Sequence, residues 1–316
     1  MIEIIGVGGY LPDKILTNFD LEKIVDTTDE WITQRTGIHQ RHIAEEQTTS
    51  DLAVEAVRNA VKNANINIDE IDMIICATTT PDLTFPSTAC LIQNKLGLDK
   101  PIIAFDIQAV CSGFIYAISV ANDMMKSGKI KTAVVIGADK MSSLIDWNDR
   151  STCVLFGDGA GAVVLQQTDG AEGIIDYEIK ANGKYCDILK TTGGTSTTQK
   201  AGNIYMDGRG VFKHAVEKMT ASIQEITAKN NLKLDDIALI IPHQANYRIL
   251  SLVAEKLGIA DDKFMLTIGE HSNTSSASIP LALNEALKQG KIKKGDNIIL
   301  EALGGGLTWG AVLIKW

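Results

Sequence analysis

Three residues of this chain pair a reactive side chain with a position suited to using it. Cys111 stands in Phe105-Asp106-Ile107-Gln108-Ala109-Val110-Cys111-Ser112-Gly113-Phe114, where an apolar strand gives way to a long apolar helix. The first N–H groups of a helix have no partner inside it, and the helix dipole adds partial positive charge there. Both effects favour a thiolate, so the spacing predicts a nucleophile with a lowered thiol pKa. His243 follows Ile240-Ile241-Pro242 directly and precedes Gln244, Ala245 and Asn246. A neutral imidazole at a strand end can donate one N–H to a developing enolate or accept a proton, though a lone histidine can equally be structural. Asn273, in His271-Ser272-Asn273-Thr274-Ser275-Ser276, reads either as a helix N-cap or as an amide aimed at an acyl oxygen. Further on, Gly304, Gly305 and Gly306 stand together between two apolar runs. A tight turn explains one or two glycines; a backbone pressed against a reacting atom explains all three. Their N–H groups could join that of Cys111 in an oxyanion hole. No GK[ST] follows, which argues against a phosphate loop.

The elements that must hold these residues come as a weak internal repeat. Ile68-Asp69-Glu70-Ile71-Asp72-Met73-Ile74-Ile75 corresponds to Leu234-Asp235-Asp236-Ile237-Ala238-Leu239-Ile240-Ile241. Each leads to a helix closed by a Lys-Leu-Gly tag, at Gly97 and at Gly258, then to a strand, 102–107 or 263–268. A longer helix follows, ending in Gly-Lys-Ile-Lys at 128–131 and 290–293, and a last apolar strand, 133–137 or 297–300. Continuous apolar strands suit sheets covered on both faces. The pattern predicts an α/β protein of two halves, 1–165 and 166–316. Superposing the Gly-Lys-Ile-Lys tags lays Cys111 on Asn273, so that strand-end turns of opposite halves face one site. Phe156-Gly157-Asp158-Gly159-Ala160-Gly161-Ala162 lacks the strand–GxGxxG–helix setting of a dinucleotide site and reads as the join between the halves.

Bulk properties narrow the function. The 316 residues carry a net charge of −9, which argues against a nucleic-acid partner. No apolar run approaches the roughly 18–20 residues of a membrane helix. The start of the chain lacks the layout of a signal peptide, which predicts a cytoplasmic protein. Cys76, Cys90, Cys111, Cys153 and Cys186 are odd in number and widely spaced, which speaks against both a disulfide framework and a zinc site.

Taken together, 26–44 (DTTDEWITQRTGIHQRHIA), the Cys111 segment, FGDGAGAVVL (156–165), IPHQANYRIL (241–250), SNTSSASIP (272–280) and EALGGGLTWG (301–310) resemble β-ketoacyl-[acyl-carrier-protein] synthase III almost from end to end. This is the initiating branch of the thiolase-fold superfamily. The resemblance implies a five-layered α-β-α-β-α thiolase fold and a decarboxylating Claisen condensation of a short acyl-CoA with malonyl-acyl-carrier protein. It assigns Cys111, His243 and Asn273 to catalysis, and the N–H groups of Cys111 and Gly305 to the oxyanion hole. No metal and no organic cofactor are implied. By the same likeness Trp31 and Arg150 would sandwich the CoA adenine with Thr27 and Arg35 nearby, and Gly208, Phe212 and Asn246 would line the pantetheine tunnel. Lys213, Arg248 and Lys256 would receive the acyl-carrier protein, and Phe85 would cross a homodimer interface to close the acyl pocket. Departures from the family pattern are Glu255, Glu270 and Ser272; the last stands where glycine is common, which predicts a narrower pocket. A sister condensing enzyme making a quinolone or polyketide starter unit would share the same catalytic set.

Overall fold

The computed structural model describes residues 1–316, apart from the side chain of Asp261. In chain order the first elements are strand β1 (Ile2–Tyr10), helices α1 (Asp29–Thr36) and α2 (Thr49–Ala64), strand β2 (Met73–Ala77), helix α3 (Thr88–Leu96), strand β3 (Ile103–Ile107), helix α4 (Gly113–Met125) and strands β4 (Thr132–Lys140) and β5 (Asp158–Gln167). Then come strand β6 (Gly173–Ala181), helix α5 (Gly208–Lys229), strand β7 (Leu239–Pro242), helices α6 (Tyr247–Leu257) and α7 (Ser278–Lys288), and strands β8 (Asn297–Gly304) and β9 (Thr308–Lys315).

The strands form two main sheets. One has the order β1-β5-β4-β2-β3, and the other β6-β9-β8-β7. In the first, β2 runs parallel to both β3 and β4; in the second, β7 runs parallel to β8. Reading each sheet from its first strand gives the same sequence of roles, so the repeat in the sequence is a repeat in topology. Side chains alternate across the strands, and both faces are apolar. Met73, Ile75 and Ala77 face the middle of the molecule while Ile74 and Cys76 face outward. In β8, Ile298, Leu300 and Ala302 face inward and Ile299 and Leu303 outward.

Three buried clusters follow from this. Helices α2 and α3 cover the outer face of the first sheet through residues such as Leu52, Ala56 and Ile92. Helices α4 and α7 fill the space between the sheets with Phe114, Ile118, Ile279 and Leu283. Helices α5 and α6 cover the outer face of the second sheet with Val216, Ile223, Leu250 and Val253. The layers are therefore α-β-α-β-α. Gly97 and Gly258 close α3 and α6 in the left-handed conformation, at φ +76° and +65°, as the matching tags require.

Two expectations need correction. Residues 263–268 do not form a strand equivalent to β3; only Phe264 bridges to Ile240. Met265 donates its N–H to Ile240 O at 2.9 Å, but the next parallel bond would need an N–H from Pro242, which has none. Gln244 takes over instead. Its Nε2 donates to Met265 O at 3.0 Å, and its Oε1 accepts from Thr267 and Ile268 at 2.8 and 3.1 Å. The second correction concerns the glycine cluster at 157–161. It is not the join between the halves, because β5 begins at Asp158; the crossing is made at 168–172. Gly161 instead lets α7 lie close against the sheet, since a Cβ there would stand 2.7 Å from Pro280 Cβ.

Candidate active site

Cys111 lies in a single 3-10 turn, Val110–Ser112, that runs into α4, and the residue is buried at 5% exposure. No oxygen accepts its N–H among the described residues, and the same holds for Gly305. The glycine run presses on this turn. A Cβ on Gly304 would lie 2.8 Å from Cys111 N and 2.9 Å from both Ala109 O and Ser112 N. Thr308 completes the clasp by bonding Ser112 Oγ and Ala109 O at 2.8 and 3.1 Å. The thiol departs from expectation. Burial pushes it up to about 12, and the Ser275 hydroxyl and the residue's own N–H only partly offset that. The resting group at neutral pH is therefore the thiol. The helix-terminus argument fails here because desolvation of a buried sulfur outweighs one turn of dipole.

His243 continues β7 and is held at its backbone by donation to Glu301 O at 2.7 Å. Its side chain is 2% exposed, and its Nδ1 lies 2.6 Å from Ser278 Oγ at the start of α7. Nε2 has no partner among the described residues. Burial lowers the imidazole to about 3, so the ring is neutral across the physiological range. It is suited to donating a hydrogen bond rather than to taking up a proton.

Asn273 precedes the 3-10 turn Ser275–Ala277 that leads into α7. By this turn, not by the Gly-Lys-Ile-Lys tags, Cys111 matches Ser276, and Asn273 lies three residues earlier. Both readings of its amide hold at once: Oδ1 accepts from Ser275 N at 2.9 Å, as a cap would, and Nδ2 is left without a partner among the described residues. Its backbone is fixed on both sides, donating to Leu155 O at 3.0 Å and accepting from Gly157 N at 3.1 Å. The 155–157 segment is itself held from behind by Arg41. That arginine is fully buried without a carboxylate and donates to Val154 O at 3.0 Å, to Asn18 Oδ1 at 2.8 Å and to Leu16 O at 3.0 Å. Ser272 does not narrow the pocket as expected. With φ +57° its side chain turns away from the cavity toward Gly157 and bonds His271 O.

Cys111, His243, Asn273, Gly305 and Gly306 meet at one cavity of about 800 Å³. Trp31, Arg35, Gly208, Phe212, Asn246 and Arg248 line it too. Thr27 and Arg150 do not line it. The Arg150 guanidinium lies 4.8 Å from the centroid of the Trp31 ring and Arg35 lies 5.4 Å from it, so cations already stack where an adenine was expected. A planar base would have to displace Arg150, which is otherwise held by Asp26 O at 2.8 Å. Asn246 is used twice by the fold itself, capping α6 and donating to Arg35 O at 3.1 Å. Lys213 and Lys256 are exposed outside the cavity. Arg248 stacks on Phe212 at 5.8 Å, and Lys256 lies two turns along α6, about 12 Å on. Phe85 is 82% exposed and takes no part in the cavity of its own chain. Residues missed from the sequence include Lys190, Cys186 and Arg209 at the cavity, and Gln244 and Ser278 behind the histidine. Arg209 carried a readable signal, a cation between two glycines at a helix start; Ser278 carried none beyond a serine-rich run.

The chain is similar to known proteins along its whole length. Residues 105–183 match 3-oxoacyl-[acyl-carrier-protein] synthase III, and residues 227–316 match the C-terminal part of the same family. The β-ketoacyl-[acyl-carrier-protein] synthase III of Wolbachia pipientis is 55% identical over 315 residues, covering 99% of this chain and 98% of its own. The crystal structure of 3-oxoacyl-[acyl-carrier-protein] synthase III from Aquifex aeolicus superposes with a TM-score of 0.96 at 51% identity, covering all of both chains. A priming β-ketosynthase from a polyketide biosynthetic pathway superposes with a TM-score of 0.94 at 31% identity, covering 99% of this chain and 96% of that one. With more than half its residues identical along its whole length, the chain belongs to the β-ketoacyl-[acyl-carrier-protein] synthase III family, condensing acyltransferases of the thiolase fold.

Proposed function

We propose that this chain joins a short acyl group from acyl-CoA, acetyl by default, to malonyl-acyl-carrier protein, releasing CO₂ and starting fatty acid synthesis. The observation that carries the reading is the meeting of Cys111, His243, Asn273 and the Gly304–Gly306 backbone in one largely apolar cavity. In the first step Cys111 Sγ attacks the acyl-CoA carbonyl, the bond to the CoA sulfur breaks, and the thiol proton ends on that sulfur. The exchange conserves protons overall: Sγ gives up its proton as it attacks, since the thiolate is the reacting form, and the departing CoA thiolate takes one up. In the second step the malonyl thioester loses CO₂, and its electron pair moves into an enolate. The enolate oxygen accepts from His243 Nε2–H and Asn273 Nδ2. The enolate carbon attacks the acyl carbonyl, whose oxygen accepts from the N–H groups of Cys111 and Gly305, and the Cys111 sulfur leaves and takes up a proton. Loss of CO₂ generates the carbon nucleophile, so the scheme calls for no metal or organic cofactor.

The CoA nucleotide would sit against Trp31, Arg35 and Arg150, with Thr27 beside them, and the pantetheine arm would follow Gly208, Phe212 and Asn246. Lys213, Arg248 and Lys256 would steer the acidic carrier protein to the mouth. The exposed pair Leu83 and Phe85, at 51% and 82%, supports burial against a second copy in a homodimer. Among the described residues no helix is long and apolar enough to cross a membrane. A cytoplasmic setting goes with this reading, because the nucleophile must stay reduced. The likeness to a priming polyketide ketosynthase favours a second reading, a starter-unit synthase with the same catalytic set.

Incubation with acetyl-CoA and with longer and branched acyl-CoAs, followed by intact mass spectrometry, tests this. One added acyl group, mapped to Cys111 and absent in Cys111→Ser, is expected. No adduct with any acyl-CoA would overturn CoA priming.

A further inference from the structure

The serine-rich stretch after Asn273 contributes more than a helix start. Ser276 Oγ donates to Asp139 at 2.6 Å, tying this stretch to the first half of the molecule, and Ser275 N holds the Asn273 amide. Ser278 reaches the other way, across to His243 Nδ1 at 2.6 Å. The same hydroxyl oxygen lies 3.4 Å from Gln244 N, which points its N–H at it. Ser278 is 2% exposed and has no other partner among the described residues.

These contacts decide where the imidazole proton sits. If the Ser278 oxygen accepts from Gln244 N–H, its own proton has one available acceptor, His243 Nδ1. The reverse arrangement, with a proton on Nδ1, would give the oxygen two donors and leave the serine proton buried and unpaired. Gln244 cannot turn away, because its side-chain amide is engaged four times, by Pro242 O, Met265 O, Thr267 N and Ile268 N. Nε2, the nitrogen left facing the cavity with Cys111 and Asn273, therefore carries the proton.

We propose that Ser278 is a positioning residue for condensation: its hydroxyl, oriented by the Gln244 backbone N–H, donates to His243 Nδ1 and so fixes the tautomer that presents Nε2–H to the substrate oxygen. This rests on the reading of His243 as a hydrogen-bond donor in the second step. An imidazole in the other tautomer would present a lone pair to the enolate and repel it. Ser278 touches no substrate in this account; it acts through the ring.

Nitrogen-15 NMR of histidine-labelled protein, with the His243 signals assigned by their loss in His243→Ala, reads the tautomer directly. The unsubstituted protein is expected to show Nε2 protonated and Nδ1 bare. Ser278→Ala is expected to show mixed tautomers and a condensation kcat about tenfold lower, with acylation of Cys111 by acetyl-CoA within about twofold of normal. Ser278→Thr, which keeps the hydroxyl, is expected to restore both the signature and the rate. A proton on Nδ1 in the unsubstituted protein would overturn the proposal without any variant having to fold. So would an unchanged signature and kcat in Ser278→Ala, or equal losses in acylation and condensation, which mark a purely structural role. If His243→Ala condensed normally, the reading of His243 would itself have failed, and the proposal with it, whatever the tautomer.

Discussion

Raising the pH tests which of two opposing effects governs Cys111. Burial moves its thiol from 9.0 to about 12. A helix dipole contributes at most ~2 kcal/mol even in a partly buried site, which is about 1.5 on the pKa scale. The dipole therefore cannot bring the group back to neutrality. With a value of about 12, roughly one molecule in 10⁵ carries the thiolate at pH 7 and one in 10³ at pH 9. Since the thiolate is the reacting species, alkylation of Cys111 should accelerate about 100-fold between those pH values and show no plateau. The assay is iodoacetamide labelling of the substrate-free protein at several pH values, with peptide mapping to separate Cys111 from the exposed Cys186. A rate that changes no more than about twofold between pH 7 and 9 would refute the reasoning. It would mean that the turn at Val110–Ser112 stabilises the thiolate far more than burial opposes it.

Three other outcomes follow from particular contacts. Gly304→Ala would drive a Cβ against three backbone atoms at 2.8 and 2.9 Å, so the Cys111 turn must shift. Acylation should fall by about 100-fold, and normal acylation with an unchanged melting temperature would contradict the clasp. Ser272→Gly should raise stability by about 1 kcal/mol in chemical denaturation, because relief of the positive φ outweighs the added freedom of the unfolded chain; no gain would mean that the Ser272–His271 bond offsets the strain. Glu301 is fully buried, and neither carboxyl oxygen has a partner among the described residues. Burial raises it well above the usual range, so the folded protein keeps a proton that the unfolded chain gives up above about pH 4.5. Its favourable contribution is thus full at low pH and lost as the pH rises, by up to about tenfold per pH unit in the folding constant. Glu301→Gln should gain stability relative to the unsubstituted protein from pH 5 to 8, and a constant difference would show the carboxylate ionised in the fold.

Much of this arrangement was legible because it rests on local pattern. The apolar runs of β2 and β7, the acidic turns before them and the glycine caps of α3 and α6 announce the repeat, and the repeat sets the Cys111 turn opposite the Ser275–Ala277 turn that Asn273 precedes. What escaped depends on partners distant in sequence. The alternation in Lys263-Phe264-Met265-Leu266-Thr267-Ile268 suits a strand, but Pro242 cannot supply the pairing N–H and Gln244 substitutes its side chain. Ser272 reads as a bulkier residue at the pocket until its backbone conformation turns it toward Gly157. The thiol of Cys111 reads as acidic from its place at a helix start; only its burial in the folded protein reveals the opposite. Ser278 is one serine among several, and nothing short of the fold connects it to His243.

The middle layer has a further consequence for recombining or dividing this molecule. Its two helices come from opposite halves, and each packs against both sheets; just before α7 Ser276 reaches Asp139 and Ala77 O, and within it Pro280 fills the space above Gly161. Only the short, mostly exposed stretch 168–172 joins the halves covalently. A chain cut there would yield two pieces, each carrying half of an apolar interior with nothing to cover it. Neither piece should persist alone, yet the two should complement each other when expressed together. Grafting one half from a distant relative would fail unless the residues that meet across this layer were carried over as a set.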